Sequence, residues 1–252
     1  MIRCALIILA FGSSRKEAYT STLEPLKNIL EHKYSIPVYI VFTSDIIRKK
    51  LKEGDMNIYS LQEAIDNIRL KKVEKIYIQP YNMFSLLDEG LLEKKTEHEN
   101  IVMGLPVLPK DEKKVVEKIN DILLSYDSDY NKTWVLVAHG SKKTNNDIFY
   151  KLQNSLNNEG FKNLVIGTLE GEPNIYSVIK DLKTKKTKDV NLMALMMMPG
   201  IHVMKHMAGE EENSWKSILV SNGFNVRVIT KSLGEDKKFM NLWMEKIDEL
   251  LK

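Results

Sequence analysis

The chain has 252 residues, 43% of them hydrophobic, which is enough to build one large domain or two of ordinary size. Lys and Arg number 37 against 34 Asp and Glu, and this weak net charge of +3 gives no sign of a nucleic-acid partner. The one cysteine, Cys4, excludes an internal disulfide and favours a reducing, cytoplasmic compartment. Since no apolar run approaches the roughly 20 residues of a membrane helix, no membrane span is expected.

Short runs rich in Ile and Val alternate with longer segments of helical periodicity, which is typical of βα units around a parallel sheet. In chain order, strands are predicted at residues 5–10, 38–42, 75–79, 101–107, 134–138, 164–168, 190–198 and 225–230. The predicted fold class is therefore α/β, with two similar Rossmann-like halves, each a roughly four-stranded parallel sheet flanked by helices.

The second half repeats the first at a spacing of 128 residues (139 − 11). At this spacing Ala10-Phe11-Gly12-Ser13 aligns with Ala138-His139-Gly140-Ser141, and Glu117-Lys118-Ile119 with Glu245-Lys246-Ile247. The first apolar run thus corresponds to the first strand of a repeat, which argues against a signal peptide. We expect domains at 1–127 and 128–252, joined by a polar linker around 126–132.

Three polar residues at predicted strand ends of the second half suggest a metal site. Ligands of open parallel sheets bind beyond the carboxyl ends of the strands, and His139, Glu170 and His202 each follow a strand there. Two imidazoles and a carboxylate suit a divalent first-row metal with open coordination positions. Phe11 stands in the first half where His139 stands in the second, so only one copy has this ligand set.

Each of these residues also has a simpler interpretation. A lone histidine after a strand is more often a hydrogen-bonded loop residue than a ligand. His206, four residues after His202, is at most a secondary metal contact. The methionines of 193–198 could bind a soft metal, but a buried central strand explains them better. The Gly-Ser segments lack the spacing of a phosphate-binding loop, so nucleotide binding has weak support.

Five short segments of the second half occur in an order that is specific in combination. They are Leu136-Val137-Ala138-His139-Gly140-Ser141, Gly167-Thr168-Leu169-Glu170-Gly171, Gly200-Ile201-His202, Met207-Ala208-Gly209 and Ser214-Trp215-Lys216. Together they resemble the anaerobic cobalt chelatases, class II chelatases that insert Co²⁺ into sirohydrochlorin without ATP. The resemblance covers essentially the whole chain. It implies that His139, Glu170 and His202 bind the metal and that His139 and Glu170 are catalytic.

The resemblance also implies a tetrapyrrole bound between the two halves, with no permanently bound cofactor and the metal as a substrate. The expected substrate-binding residues are Phe11, Ser13, Ser14, Arg15, Asn82, Glu89 and Ser141. The chain departs from the family at Ile201, where an Asp is common, and at Lys205-His206, where an Asn-Asp pair is common. Relatives often carry a histidine near Asn82, followed by an acidic residue that is here Asp88 or Glu89.

Several alternatives stay open at this point. The same ligands accept Fe²⁺ and Ni²⁺, so a ferrochelatase acting on sirohydrochlorin or a porphyrin is the nearest rival, and precorrin-2 is an alternative substrate. A tetrapyrrole or metal carrier without turnover, and a hydrolase that uses His139, are the rivals from other classes. The sequence leaves open whether the protein is a homo-oligomer and whether His139 chiefly holds the metal or chiefly accepts protons.

Overall fold

The computed structural model describes residues 3–83, 100–107, 112–127, 132–142, 146–198 and 200–252. Two four-stranded sheets form in this part of the chain, with strand orders β2-β1-β3-β4 and β6-β5-β7-β8, and every strand pairing within them is parallel. Helices lie between the strands along the chain. The predicted α/β class with two similar halves is confirmed.

The strands of both sheets follow the predicted order. They are β1 (Cys4–Ala10), β2 (Val38–Phe42), β3 (Lys75–Pro80), β4 (Ile101–Met103), β5 (Thr133–Gly140), β6 (Leu164–Glu170), β7 (Asp189–Ala194) and β8 (Asn225–Ile229). The strands β1 and β5 are buried along almost their full length, as expected for parallel strands covered on both faces.

The helices connect successive strands. They are α1 (Lys16–Ala18), α2 (Glu24–Tyr34), α3 (Asp45–Glu53), α4 (Leu61–Leu70), α5 (Glu112–Tyr126), α6 (Asp147–Asn158), α7 (Ile175–Thr184), α8 (Ile201–Ala208), α9 (Trp215–Ser221) and α10 (Lys237–Leu250). A π-helical segment at Tyr19–Leu23 joins α1 to α2, and a short 3-10 helix covers Leu233–Glu235. Polar caps begin several of them: Ser60 and Glu63 form a reciprocal capping box at α4.

Two predicted strands end earlier than their apolar sequence indicated. The run 190–198 leaves the sheet after Ala194, because the carbonyls of Met196 and Met197 accept hydrogen bonds from Gly234 N and Ser232 Oγ instead of from a neighbouring strand. The run 101–107 likewise pairs only as far as Met103. A continuous apolar sequence indicates that a segment is buried, and both segments contain buried residues beyond their last strand pairing.

Contacts divide the chain into unit 1, residues 1–109 with 241–252, and unit 2, residues 110–240. This division differs from the repeat boundary at 127/128, because each closing helix packs with the other repeat. The helix α5 packs against α6 in unit 2. In unit 1, the Trp243 indole of α10 donates a hydrogen bond to Pro80 O at 2.9 Å and meets the Tyr81 ring edge-on.

Each unit has its own apolar core on its sheet. In unit 1 the β1 side chains Ala5, Ile7 and Leu9 pack with α4, and in unit 2 Val135 and Val137 of β5 belong to the corresponding cluster. Among the described helices, none has both the length and the apolar character needed to cross a membrane.

Candidate functional site

The topology of unit 2 directs attention to the carboxyl end of β5. From β5 the chain crosses to β6 on one side, and from β6 it returns to β7 on the other side of β5. In open parallel sheets, this reversal leaves a crevice beyond the carboxyl ends of the strands, which is where ligands bind. His139 and Gly140 are the last two residues of β5 and therefore lie at that point.

His139 is the one exposed residue of an otherwise buried strand. Its Nδ1 lies 3.0 Å from the carbonyl oxygen of Gly140. Because a carbonyl only accepts, Nδ1 is the donor in this contact, which leaves Nε2 as the ring nitrogen that is not used by it. The fold thus orients the imidazole, and in its neutral form Nε2 is the nitrogen that can bind a metal ion or accept a proton.

Glu170 lies next to this histidine through the backbone ladder. It is the last residue of β6, it is half-buried, and it pairs with Gly140, so it is a diagonal neighbour of His139. A Cβ added to Gly140 would lie 2.2 Å from Glu170 O, and Gly140 has a φ of +70°. This close approach of the two strand ends therefore requires glycine at position 140.

His202 is the second residue of α8, and its side chain lies outside the described part of the structure. The helix packs on the sheet of unit 2 through Met204 and Met207, which join the same core cluster as Val137 of β5. His206 follows on this helix and is exposed. Within the described side chains, no three His, Cys, Asp or Glu groups lie close enough to hold a metal ion, so the predicted trio stays a prediction.

Asn146, which the sequence did not single out, connects the loops that carry these residues. It is 6% exposed, its Oδ1 accepts a hydrogen bond from Ser141 N at 3.0 Å, and its Nδ2 donates to Glu170 O at 3.0 Å. The only sequence signal was an asparagine just before a helical pattern, which predicts a helix cap. A helix cap bonds to the backbone of its own helix, whereas this side chain bonds to Ser141 and to the end of β6.

The carboxyl end of β1 in unit 1 presents the predicted substrate residues differently. Phe11 is 58% exposed, a large fraction for an aromatic ring. Ser13 is buried, and its Oγ accepts a hydrogen bond from Arg15 N, whereas Ser14 and Arg15 are half-buried and closer to solvent. Of the predicted polar contacts in this loop, Ser14 and Arg15 are therefore the accessible ones.

The remaining predicted substrate residues follow other strands. Asn82 is half-buried and comes after Tyr81, whose backbone N–H donates to Leu9 O at 2.7 Å. Ser141 is half-buried beside His139, where Asn146 holds its backbone. Glu89 lies outside the described residues.

A carboxylate two residues after Glu170 stays ionised. The backbone N–H of Asn174 and the hydroxyl of Ser177 donate to Glu172, and these hydrogen bonds hold the pKa of its carboxyl below the usual range. The loop after β6 therefore carries a fixed negative charge at neutral pH, which favours the approach of a cation.

Comparison with known proteins relates this arrangement to one family. A family model described as cobalt chelatase (CbiK) matches residues 4–252. Sirohydrochlorin cobaltochelatase CbiKC of Nitratidesulfovibrio vulgaris is 22% identical over 97% of this chain and 89% of the relative. The sirohydrochlorin cobaltochelatase of Salmonella typhimurium is 21% identical over 98% of this chain and 96% of the relative.

Solved structures give the same fold. SirB from Bacillus subtilis with Fe³⁺ matches with a TM-score of 0.68 and 17% identity, over 98% of this chain and 95% of SirB. A multi-domain protein of Deinococcus radiodurans with structural similarity to chelatases matches with a TM-score of 0.60 and 9% identity, over 98% of this chain and 54% of that protein. At these identities the structural matches concern the fold alone.

Proposed function

Since the chain belongs to the cobalt chelatase (CbiK) family, we propose that it inserts Co²⁺ into sirohydrochlorin at the carboxyl edge of unit 2, with His139 as the central residue. The observation that carries this assignment is the exposed imidazole of His139 at the end of a buried strand, whose Nδ1 contacts Gly140 O, so that Nε2 is the nitrogen left for a metal ion. A buried strand that ends in one exposed, oriented imidazole suits a metal ligand better than a scaffold residue.

Metal insertion has a simple balance. The two pyrrole N–H protons of the macrocycle are exchanged for one divalent cation, so two protons leave for each metal that enters. Imidazole accepts protons near neutral pH and binds Co²⁺ through the same lone pair, so Nε2 of His139 can serve both steps, one at a time. In this assignment His139 releases the metal to the ring and then accepts one of the two pyrrole protons, and solvent water accepts the other.

Glu170 and His202 complete the proposed metal position. Glu170 pairs with the residue next to His139, and His202 begins the helix that follows β7. The departures at Ile201 and His206 flank His202 and leave the three ligands themselves in place. Imidazole and carboxylate ligands accept Co²⁺, Fe²⁺ and Ni²⁺, so the ligand set alone leaves the metal preference to experiment.

The substrate contacts are proposed from accessibility and charge. Sirohydrochlorin carries many carboxylates, which need cations or hydrogen-bond donors, and Arg15, Ser14 and Ser141 supply these at strand ends. Phe11 offers an exposed ring to the apolar face of the macrocycle. Asn82 and Glu89 are the remaining predicted contacts.

A metallation assay tests the proposal. Purified protein is incubated anaerobically with sirohydrochlorin and Co²⁺, Fe²⁺ or Ni²⁺ in parallel, and the absorbance change of metallation is followed. We expect the wild type to accelerate Co²⁺ insertion and His139→Ala to lose at least about 100-fold of that rate, because general base catalysis contributes this much. His32→Ala is the control, since this exposed histidine lies on α2 in unit 1.

Three results would contradict parts of the proposal. Tight binding of sirohydrochlorin without acceleration would indicate a carrier. Faster insertion of Fe²⁺ than of Co²⁺ would indicate a ferrochelatase that uses the same residues. An unchanged rate in His139→Ala would show that His139 is not part of the catalytic site. The catalytic role would then have to be assigned to other residues.

A further inference from the structure

The side chain of Asn146 does not serve the helix that follows it. Asn146 stands at the N-cap position of α6, yet its side chain makes no capping hydrogen bond there. By contrast, Asn174 and Ser214, in the same position at α7 and α9, accept hydrogen bonds from the backbone N–H groups of their helices. Because Asn146 is 6% exposed, its amide needs partners within the protein.

Those partners lie at the carboxyl ends of β5 and β6, beside His139 and at Glu170. The amide makes a two-bond contact with Ser141, as Oδ1 accepts from Ser141 N at 3.0 Å and Nδ2 donates to Ser141 O at 3.3 Å. Nδ2 also donates to Glu170 O at 3.0 Å. Ser141 N requires an acceptor and the two carbonyls require donors, so the pattern fixes which amide atom faces each loop.

The packing around this amide requires glycine at position 171. A Cβ added to Gly171 would lie 2.5 Å from both Asn146 Nδ2 and Ser141 O, and Gly171 has a φ of +80°. The segments that follow β5 and β6 therefore approach each other over a glycine, beside the asparagine amide. This amide bridges the two strand ends in addition to the ladder pairing of Gly140 with Glu170.

We propose that Asn146 is a positioning residue that sets the geometry between His139 and Glu170 for the metal ion. The inference rests on the proposed function, since it assumes that these two residues bind the metal. Asn146 itself contacts neither metal nor substrate. Residues that orient metal ligands typically change metal affinity or activity by about 10–100-fold when they are removed.

Two substitutions separate positioning from simple stability. Asn146→Ala removes all three hydrogen bonds, and we expect a 10–100-fold loss of Co²⁺ affinity and of the metallation rate. Asn146→Asp keeps the acceptor for Ser141 N but sets a carboxylate oxygen against the carbonyls of Ser141 and Glu170. A purely structural role of the amide predicts a lower urea midpoint with unchanged Co²⁺ affinity and metallation rate, whereas positioning predicts a clear loss of both in the folded variant.

Gln153 provides the matched control from the same helix. Its amide also donates to and accepts from the backbone of β6, at Leu164 O and Ile166 N, in the half of the strand away from Glu170. We expect Gln153→Ala to lower the urea midpoint about as much as Asn146→Ala. Its Co²⁺ affinity, by equilibrium dialysis with Co²⁺ alone, should stay within about 2-fold of the wild type, because the metal ligands keep their positions.

The readouts keep the two proposals distinguishable. In Asn146→Ala and Asn146→Asp, the visible spectrum of bound Co²⁺ should change and kcat should fall while KM for sirohydrochlorin stays constant. Wild-type affinity, spectrum and kcat in folded Asn146→Asp would overturn the inference and leave the proposed function standing. If the wild type binds Co²⁺ but does not metallate sirohydrochlorin, the proposed function fails while the affinities still test Asn146. If the wild type binds no Co²⁺, both proposals fall.

Discussion

The two units differ most where their first strands end. In each unit the first strand leads into a glycine with positive φ, Gly12 at +106° and Gly140 at +70°. The residue before that glycine is an exposed phenylalanine in unit 1 and an exposed histidine in unit 2. The matching turns thus present an apolar ring in one copy and an imidazole ring in the other. The two copies of the repeat thus keep the same backbone turn and differ in the side chain that the turn exposes.

The surroundings of the two glycines also differ in polarity. A Cβ on Gly12 would meet the buried ring of Phe42 at 2.6 Å, whereas a Cβ on Gly140 would meet Glu170 O at 2.2 Å and Thr168 at 2.6 Å. The turn in unit 1 therefore rests on an apolar side chain. The turn in unit 2 rests on polar backbone, next to a carboxylate.

Transfer of the unit 1 residue into unit 2 is the strongest test of this difference. His139→Phe should lower the Co²⁺ metallation rate by at least about 100-fold, because it removes the nitrogen proposed to bind the metal and accept protons. The urea midpoint should change little, since an exposed phenylalanine already occupies the matching position in unit 1. Anaerobic metallation and urea unfolding measure the two effects.

The reciprocal change is its control. Phe11→His should create no second Co²⁺ site in equilibrium dialysis, because the segment 42–44 (Phe-Thr-Ser), which corresponds in unit 1 to the proposed ligand Glu170, carries no carboxylate. A second bound Co²⁺ equivalent would show that a histidine at this turn suffices, and the assignment of Glu170 would then be wrong.

The two glycines should also respond differently to a methyl group. Gly140→Ala should cost about 3 kcal/mol of unfolding free energy, at the upper end for a strained backbone position, because its clash is with backbone that cannot rotate away. Gly12→Ala also adds strain, but it should leave Co²⁺ affinity unchanged. Urea denaturation measures the loss of stability in each variant, and equilibrium dialysis measures its Co²⁺ affinity. Equal losses of Co²⁺ affinity in Gly140→Ala and Gly12→Ala would contradict the distinction between the units.

The closing helices give a third contrast, of buried against exposed ion pairs. Asp127, just after α5, has a side chain only 8% exposed and contacts Lys132 Nζ at 2.9 Å and Arg227 at 3.1 Å. It also accepts a hydrogen bond from the buried amide of Asn191. Asp127→Ala should cost about 2 kcal/mol, because it leaves that amide and a partly buried lysine without this partner. Urea unfolding checks this value, and a loss near zero would contradict it.

The smallest effect is expected at an exposed ion pair of unit 1. Asp248 of α10 contacts Lys33 Nζ at 2.8 Å and Tyr34 OH at 2.7 Å, and its side chain is 42% exposed. Its hydrogen bond with Lys33, and then that with Tyr34, lowers the pKa of the Asp248 carboxyl. Because of solvent screening, Asp248→Asn should cost less than about 1 kcal/mol at pH 7.

The pH dependence of this contact has a definite sign. A lowered folded-state pKa means that the contribution is complete above the ordinary pKa of about 3.9 and is lost as the pH falls through the folded value. The stability difference between the wild type and Asp248→Asn should therefore be constant from about pH 5 to pH 8 and decrease as the pH falls below about 4. A difference that grows at acid pH would contradict this assignment.

Much of the fold could be predicted from the sequence, because strand burial and strand pattern coincide. The segment 38–42 was predicted with the observed ends, and the starts of β3, β6 and β8 also agree. The prediction failed where burial continues beyond the ladder, as at Met196 and Met197. The exchange of closing helices could not be predicted, since α5 and α10 have similar sequences and either sheet could accept either helix.

The candidate site was predictable only in part. His139 and Glu170 stand out because they are polar residues at the ends of apolar strands, and the structure places them on paired strand ends. Asn146 does not stand out, because its amide bonds to Ser141 and Glu170, and no periodicity of the sequence relates these positions to it. Hydrogen bonds of this kind depend on tertiary placement, which local periodicity does not report.

The exchange of closing helices has a consequence for synthesis on the ribosome. Unit 2 is one continuous stretch of chain, residues 110–240, whereas unit 1 needs residues 241–252 to cover Pro80 and Tyr81 with Trp243. The first 109 residues therefore leave the ribosome before unit 2 but gain this closing helix only after unit 2 has been synthesised. The unit that carries His139 can become complete before the unit whose chain began first.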